Sequence, residues 1–272
     1  MRPNPLSPCF RVRHNLVLIL IVALFFFGGC NSENKTIYQK RAIVVATDAT
    51  LPPMSFINEK KEIDGFEAEL FKSLANEANF DIEFVNVDWA GLFGGLITKK
   101  FDAVISSVTI LEERKEKMAF SAPYLKSGLA LVVRKDSKIS GLADAKTQKI
   151  TVGAQVGTTA YFYLEKESGI KKKGYQLYGH AISDLIKGEI DAVLGESSGT
   201  IYYKSHDAGI FEKIKMTGEI MTDENYGIVL RKNQTELKTR INQALKVLLS
   251  NGTVVRLHKK WDLGMAASVP NR

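Results

Sequence analysis

Cysteine is nearly missing from this chain of 272 residues: there are two, Cys9 and Cys30, both within the first thirty positions. No disulfide framework and no cysteine-based zinc site can then support the rest of the molecule. Histidine is as scarce. His14, His180, His206 and His258 are far apart in sequence and none forms a metal-binding pair, so no metal and no other cofactor is expected. Only one long apolar run exists, residues 16–27 (LVLILIVALFFF), and its twelve residues fall short of the ~20 a membrane-spanning helix needs. Basic residues outnumber acidic ones 37 to 30, a formal charge of +7. Residues 1–29 carry three arginines and no acids, so without them 34 basic residues face 30 acidic ones, a charge of +4. The one dense basic run that remains, Lys171-Lys172-Lys173, lies between Gly169 and Gly174 and reads as a solvated loop, which leaves no stripe for nucleic acid. Disorder is excluded as well, since 45% of the chain is hydrophobic.

What is present begins with an address. Arg2, Arg11 and Arg13 precede the apolar run, and Gly28-Gly29-Cys30 follows it. A charged lead, a short apolar stretch and a small-residue exit make a secretory signal over 1–29. The small residues before Cys30 resemble the lipobox of bacterial lipoproteins, with Phe27 in place of the usual Leu, which implies lipidation of Cys30. Residues 30–40 are polar and aperiodic, as a tether would be. An exported protein, lipid-anchored to a membrane in the periplasm or at the cell surface, is expected, and the folded part should begin near Arg41.

Short apolar runs without alternation recur at Ile43–Ala46, Ala103–Ile105, Leu129–Val133, Ala192–Leu194 and Ile228–Leu230, as suits strands covered on both faces. Amphipathic helices lie between them. Phe66, Leu70, Phe71, Leu74 and Ala78 share one face while Glu67, Glu69, Lys72 and Glu77 take the other; Leu237, Ile241, Ala244, Leu245 and Leu248 repeat the pattern before Asn251-Gly252. Alternating strands and helices mean an α/β fold with largely parallel sheets. Residues 96–107 (LITKKFDAVISS) echo residues 185–196 (LIKGEIDAVLGE), and two similar α/β lobes are the simplest explanation. Ser106-Ser107 and Gly195-Glu196 would then occupy equivalent carboxyl ends of strands. Open α/β sheets bind ligands there, which puts the site in a cleft between lobes.

Ser106, Ser107 and Thr109 place hydroxyls and backbone N–H groups at a strand end, with Arg114 one helical turn into the next segment. These are the groups that pair a carboxylate, although Arg114 also reads as a solvated member of the charged run Glu112–Lys117. Gly157-Thr158-Thr159 offers hydroxyls and amides at a second helix start, or simple capping. Glu196 follows a buried strand and could pair with an ammonium or accept backbone amides. Asp48 reads equally as a ligand group or a turn residue, and Trp89 as a ligand wall or core. Gly195-Glu196-Ser197-Ser198-Gly199 fits the G-x-S-x-G nucleophile elbow, but no oxyanion segment and no suitably placed histidine accompany it. The glycines Gly91, Gly94 and Gly95 lack the ending of a phosphate loop and would permit close helix packing. No catalytic residue is expected.

Seven segments taken in order carry a family resemblance: 45–54 (VATDATLPPM), 64–70 (DGFEAEL), 87–92 (VDWAGL), 101–114 (FDAVISSVTILEER), 120–124 (FSAPY), 155–159 (QVGTT) and 226–230 (YGIVL). From about Arg41 to Gly264 the chain closely resembles the polar amino-acid-binding proteins of bacterial ABC importers, extracellular solute-binding proteins of family 3. The resemblance implies a two-lobed periplasmic-binding-protein (Venus-flytrap) fold of type II with two crossovers, working as a monomer with a permease in the cytoplasmic membrane. Arg114, Thr109 and Thr159 would grip the ligand's α-carboxylate, Ser107 and Glu196 its α-ammonium. Trp89 would flank the side chain and Asp48 would face its far end, which favours a basic, arginine-like L-amino acid. Leu51 stands where relatives carry an aromatic residue, Met54 where Phe is usual and Glu196 where Asp is common; Leu51 and Met54 would line the side-chain wall. A branch with the same fold, the periplasmic cyclohexadienyl or arogenate dehydratases, is the enzyme alternative, with Glu196 as general acid. The resemblance and the turn-rich breaks put lobe one at 41–124 and 222–264, lobe two at 128–218 and a tail at 265–272, too short for a sensor or lytic domain.

Overall fold

The computed structural model describes residues 41–199, 208–264 and 267–270. Cys9, Cys30, the signal, the tether and His206 lie outside these residues. The described chain forms two five-stranded sheets. In the first, Ile82–Asn86, Ile43–Thr47 and Ala103–Val104 run parallel, and Val229–Leu230 pairs antiparallel with both Ala103–Val104 and the edge strand Ala119–Phe120. The second repeats the plan: Lys171–Tyr175, Thr151–Gln155 and Ala192–Glu196 are parallel, and Leu129–Arg134 lies antiparallel between Ala192–Glu196 and Ile214–Thr217. One strand of five is thus opposed in each sheet.

Both sheets are covered on both faces, which is why their strands read as unbroken apolar runs. In Ile43–Thr47, Ile43 and Val45 enter one core with the helices Phe66–Ala78 and Thr235–Ser250, while Val44 and Ala46 enter a second with Leu92, Leu96 and Phe101. In the other sheet, Leu129, Leu131 and Val133 face one core and Val132 faces another, built on the helix Tyr178–Lys187. Ring packing of Phe71 against Phe80 and Phe84 fills the first core.

The internal echo is structural. Asp102 and Asp191 each accept the backbone N–H of the neighbouring parallel strand, from Val44 at 3.1 Å and from Thr151 at 2.9 Å, and each donates its own N–H back to that strand. Asp102 alone adds ion pairs, to Arg41 and to the mostly buried Arg231.

The chain passes from the first sheet to the second through Leu125–Ser127 and returns through Glu224–Tyr226, and these two crossovers pair antiparallel with Tyr226 opposite Leu125. They approach so closely at Gly128 that an added Cβ would lie 2.1 Å from the Thr222 carbonyl oxygen. Ser268, near the end of the chain, exchanges two backbone hydrogen bonds with Lys126 of the outgoing crossover.

Three sequence expectations need correction. Lys171–Tyr175 is an edge strand and not a loop; its lysines are exposed, and a charged edge discourages pairing with another chain. Glu67 is not on the solvent face of its helix but only 1% exposed. Met54 is buried in the first core beside Phe66 and Leu70 and takes no part in the cleft wall.

Candidate functional site

The carboxyl ends of the strands Ile43–Thr47, Ala103–Val104, Thr151–Gln155 and Ala192–Glu196 meet at one cleft, as open α/β sheets arrange their ligand sites. Asp48, Trp89, Ser106, Ser107, Thr109, Arg114, Thr158, Thr159 and Glu196 all line it. Leu51, Gln155 and Tyr178 line it too. The sheet-one groups thus stand across from the sheet-two groups.

Arg114 lies in the short helix Glu112–Lys115 and is only 9% exposed, against the solvated alternative. Its Nη1 donates to the Thr109 carbonyl at 2.9 Å, and its Nη2 reaches the Gly157 carbonyl, on the other side of the cleft, at 3.2 Å. The guanidinium carbon sits 5.7 Å from the Trp89 ring centre and 5.3 Å from that of Phe93. Trp89 and Phe93 meet edge to face, so the tryptophan is both packed and cleft-lining. Burial pushes the Arg114 pKa down and the charges of Glu196, Glu224 and Glu113 push it back; a guanidinium stays charged throughout.

Asp48 combines the two roles the sequence left open. Its Oδ1 accepts the Thr50 hydroxyl at 2.7 Å and its Oδ2 accepts the Trp89 N–H at 3.0 Å, so it caps the helix Trp89–Ile97 while it borders the cleft. Its own N–H donates to Ser106 Oγ. Burial pushes its pKa up against the pull of these hydrogen bonds. Thr158 is the N-cap of the helix Thr159–Lys166, its hydroxyl accepting the Tyr161 N–H, and so fulfils the capping reading in full.

Two acids lie close together near Thr159, Glu196 at a strand end of the second sheet and Glu224 in the returning crossover. Glu196 accepts the Tyr226 hydroxyl on Oε2 at 2.5 Å and lies 3.2 Å from Thr159 Oγ1 on Oε1. Glu224, which no sequence signal marked, accepts Thr109 Oγ1 at 2.6 Å, Thr222 Oγ1 at 3.0 Å and Thr159 Oγ1 at 3.1 Å. Thr159 has one hydroxyl proton for two acids. Burial first, and the charge of Glu224 second, push Glu196 up to about 8, while Tyr226, Thr159 and Arg114 pull the other way. A protonated Glu196 resolves the shortage, because it can donate to Thr159, which then donates to Glu224.

Tyr178 was also missed. Its ring occupies the space over Gly195, where an added Cβ would fall 2.2 Å from Cε2. Ser197, the serine of the G-x-S-x-G pattern, is fully buried with its Oγ 3.1 Å from Ser127 Oγ, so it offers the cleft no exposed nucleophile. Among the described residues no helix is long and apolar enough to cross a membrane.

Two similar α/β lobes joined by two crossovers, with charged groups of both signs buried at the facing strand ends, define a protein that encloses a small polar solute. Residues 43–265 match the bacterial extracellular solute-binding proteins, family 3, and the chain belongs to that family. It is 30% identical over 228 residues to the L-cystine-binding protein TcyJ of Escherichia coli K12, covering 82% of this chain and 83% of that one. It is 32% identical over 224 residues to the arginine-binding periplasmic protein of Mannheimia haemolytica, covering 80% and 90%. A crystal structure of a mutant of the arginine-binding protein ArgBP from T. maritima superposes with a TM-score of 0.76 at 32% identity, covering 84% of this chain and 98% of that one. The fold is therefore the two-lobed periplasmic-binding fold, and the chain is a solute-binding protein rather than an enzyme.

Glu196 generates a pH prediction. Its folded pKa of about 8 lies above the 4.5 of an ordinary glutamate, so the ligand-free native state holds the proton more tightly than the unfolded chain. The stability it contributes is complete below about pH 4.5 and is lost as pH rises through 8. Glu196→Gln, which mimics the protonated acid, should gain on the wild type between pH 5 and pH 9 by on the order of a few kcal/mol. Urea unfolding at both pH values reads this; a difference that does not change with pH would show that Glu196 ionises as an ordinary acid.

Proposed function

We propose that the chain binds a basic L-amino acid, arginine foremost, in the cleft between its lobes and delivers it to the permease of an ABC importer in the cytoplasmic membrane. The observation that carries this reading is the pairing of one buried guanidinium, Arg114, with the carboxyl group of Glu196 across the same cleft. A free amino acid is a zwitterion and needs both. Arg114 takes the α-carboxylate with Thr109 and with the helix start at Thr158 and Thr159, whose first N–H groups have no intrahelical acceptor. Glu196 and Ser107 take the α-ammonium, with Ser106 beside them. Asp48, flanked by Trp89, takes the distal cation: its two oxygens have lone pairs beyond those facing Thr50 and Trp89, and a nearby cation relieves the cost of burying its charge. The Trp89 ring already carries Arg114, so Asp48 supports the basic preference more than a cation–π contact does. The relatives named for arginine point the same way, and the one named for cystine makes cystine the competitor to test.

In this reading the lobes span 41–124 with 222–264, and 128–218. They close over the ligand by bending at the crossovers. The protein works as a monomer. Export removes residues 1–29, and Cys30 carries a lipid that holds the protein to the membrane through the tether 30–40. What supports the anchor is the placement of Gly28-Gly29-Cys30 directly after the apolar run.

Three measurements test these statements. Calorimetry with arginine, lysine, histidine, glutamine, cystine and glutamate should rank arginine tightest and glutamate weakest, because an acidic side chain meets Asp48 with like charge; tight glutamate binding would remove Asp48 from the side-chain site. In the same assay Arg114→Ala should lose ~2–5 kcal/mol of binding with its thermal unfolding intact, and Arg114→Lys should recover only part, since the fork geometry is gone. Because a protonated Glu196 is also what a dehydratase needs, incubation with prephenate or arogenate is a sharp check: no aromatic product should form, and product that disappears in Glu196→Gln would overturn the transport reading. Cys30→Ser should move the exported protein from the membrane fraction to the soluble one, and an unchanged distribution would refute the lipid anchor.

A further inference from the structure

Glu67 begins the helix Phe66–Ala78 beneath the floor of the cleft, and at 1% exposure it is among the most deeply buried acids of the described chain. It has no ion-pair partner among the described residues; instead hydroxyls and one amide converge on it. Oε1 accepts the Ser107 N–H at 2.6 Å, the Ser107 hydroxyl at 3.2 Å and the Tyr124 hydroxyl. Oε2 accepts the Ser55 hydroxyl at 3.2 Å, and Ser55 Oγ in turn accepts Thr47 Oγ1 at 2.9 Å. One side chain is therefore tied to the ends of two adjacent parallel strands, at Thr47 just before Asp48 and at Ser107 just after Ser106. Tyr124 carries the same network to the start of the outgoing crossover.

The decisive detail is the direction of the Ser107 proton. A serine hydroxyl has one proton and two lone pairs, and an oxygen of Glu67 can only accept unless it is itself protonated. Burial pushes the Glu67 pKa up, against the pull of the hydroxyls and the amide that donate to it. The Ser107 hydroxyl donates to Oε1 at 3.2 Å and so turns its lone pairs to the cleft it lines. The hydrogen bond that the Ser107 N–H donates to the same Oε1 holds Ser107 at φ 49°, a left-handed conformation that a serine seldom adopts unaided.

We infer that Glu67 is a positioning residue for ligand binding: by taking both the hydroxyl proton and the N–H of Ser107, it presents the Ser107 oxygen to the cleft as an acceptor for an α-ammonium. This rests on the proposed amino-acid reading and adds a residue that never touches the ligand. The sheet-one side thereby acquires an acceptor that complements Glu196 opposite.

The experiment compares L-arginine with 5-guanidinopentanoate, its analogue without the α-amine, by calorimetry on the full folded protein. Glu67→Leu should weaken L-arginine roughly ten- to a hundredfold, the scale of a hydrogen bond to a charged group, while changing the analogue's affinity less than about threefold. Glu67→Gln should restore most of the loss, because its amide oxygen can still accept from Ser107. Equal loss for both probes would mark Glu67 as merely structural and overturn the inference, as would arginine binding unchanged in Glu67→Leu. If Glu67→Leu fails to fold, Ser107→Ala carries the same comparison: selective loss of arginine supports the acceptor role and equal loss refutes it. Should the wild type bind neither probe, the arginine reading falls by itself. Amide exchange at Ser107 in the ligand-free protein then decides the positioning: faster exchange in Glu67→Leu than in the wild type supports it, and equal rates overturn it.

Discussion

A buried guanidinium must be paired on every side it presents, and the cleft is arranged around how Arg114 meets that demand. Its donors are divided between the Thr109 carbonyl in its own lobe and the Gly157 carbonyl across the cleft, and its flat faces rest near Trp89 and Phe93. The carbonyls carry only partial charge, and the nearby carboxyl groups of Glu196 and Glu224 offset part of the positive field that remains. Removing water from this cation makes the position a standing attraction for an anion. The same cation ties the two sides of the cleft together.

The acids show the opposite pressure. Glu196 and Glu224 share a single hydroxyl proton from Thr159, and the charge of Glu224 adds to burial in raising the cost of charging Glu196. Without a ligand the least costly arrangement keeps a proton on Glu196. A cation entering beside Glu196 offsets both its desolvation and its repulsion by Glu224, so in the proposed reading ammonium binding and loss of that proton are one event. In the same reading, closure by bending at the crossovers requires the ligand to bind the closed form more tightly than the open one.

The sequence made the sheets legible because burial on both faces leaves a pattern of its own: unbroken apolar runs, repeated at intervals, with polar residues at their ends. The echo at Asp102 and Asp191 was readable for a related reason, since in both lobes the acid ties neighbouring parallel strands through a backbone N–H. What escaped the sequence were polar residues in apolar surroundings. Periodicity put Glu67 on the outer face of its helix by residue type, whereas the first turn of that helix points into the cleft floor, where three hydroxyls and an amide stabilise the acid. Glu224 lay in a turn-rich stretch that carries no period, and two of its three threonine partners, Thr109 and Thr159, are remote in sequence. Lys171–Tyr175 hid in the opposite way, as a strand that buries only Tyr175 and so shows no apolar signal. Met54 was placed on the cleft wall by analogy of position, and packing beside Phe66 and Leu70 decided otherwise.

The crossovers are more than connectors. Tyr124 stands at the start of one and bonds to Glu67, while Glu224 and Tyr226 belong to the other and bond to Thr109 in the first lobe and to Thr159 and Glu196 in the second. The Tyr124 and Tyr226 rings also lie 6.3 Å apart, so the two segments are packed together as well as paired. If the lobes bend at the crossovers as proposed, the site cannot stay unchanged, because the Tyr226 hydroxyl on Glu196 and the Tyr124 hydroxyl on Glu67 are carried by or next to those segments. In the proposed reading closure and binding are coupled by hydrogen bonds at the crossovers themselves, without a chain of intermediates between distant elements.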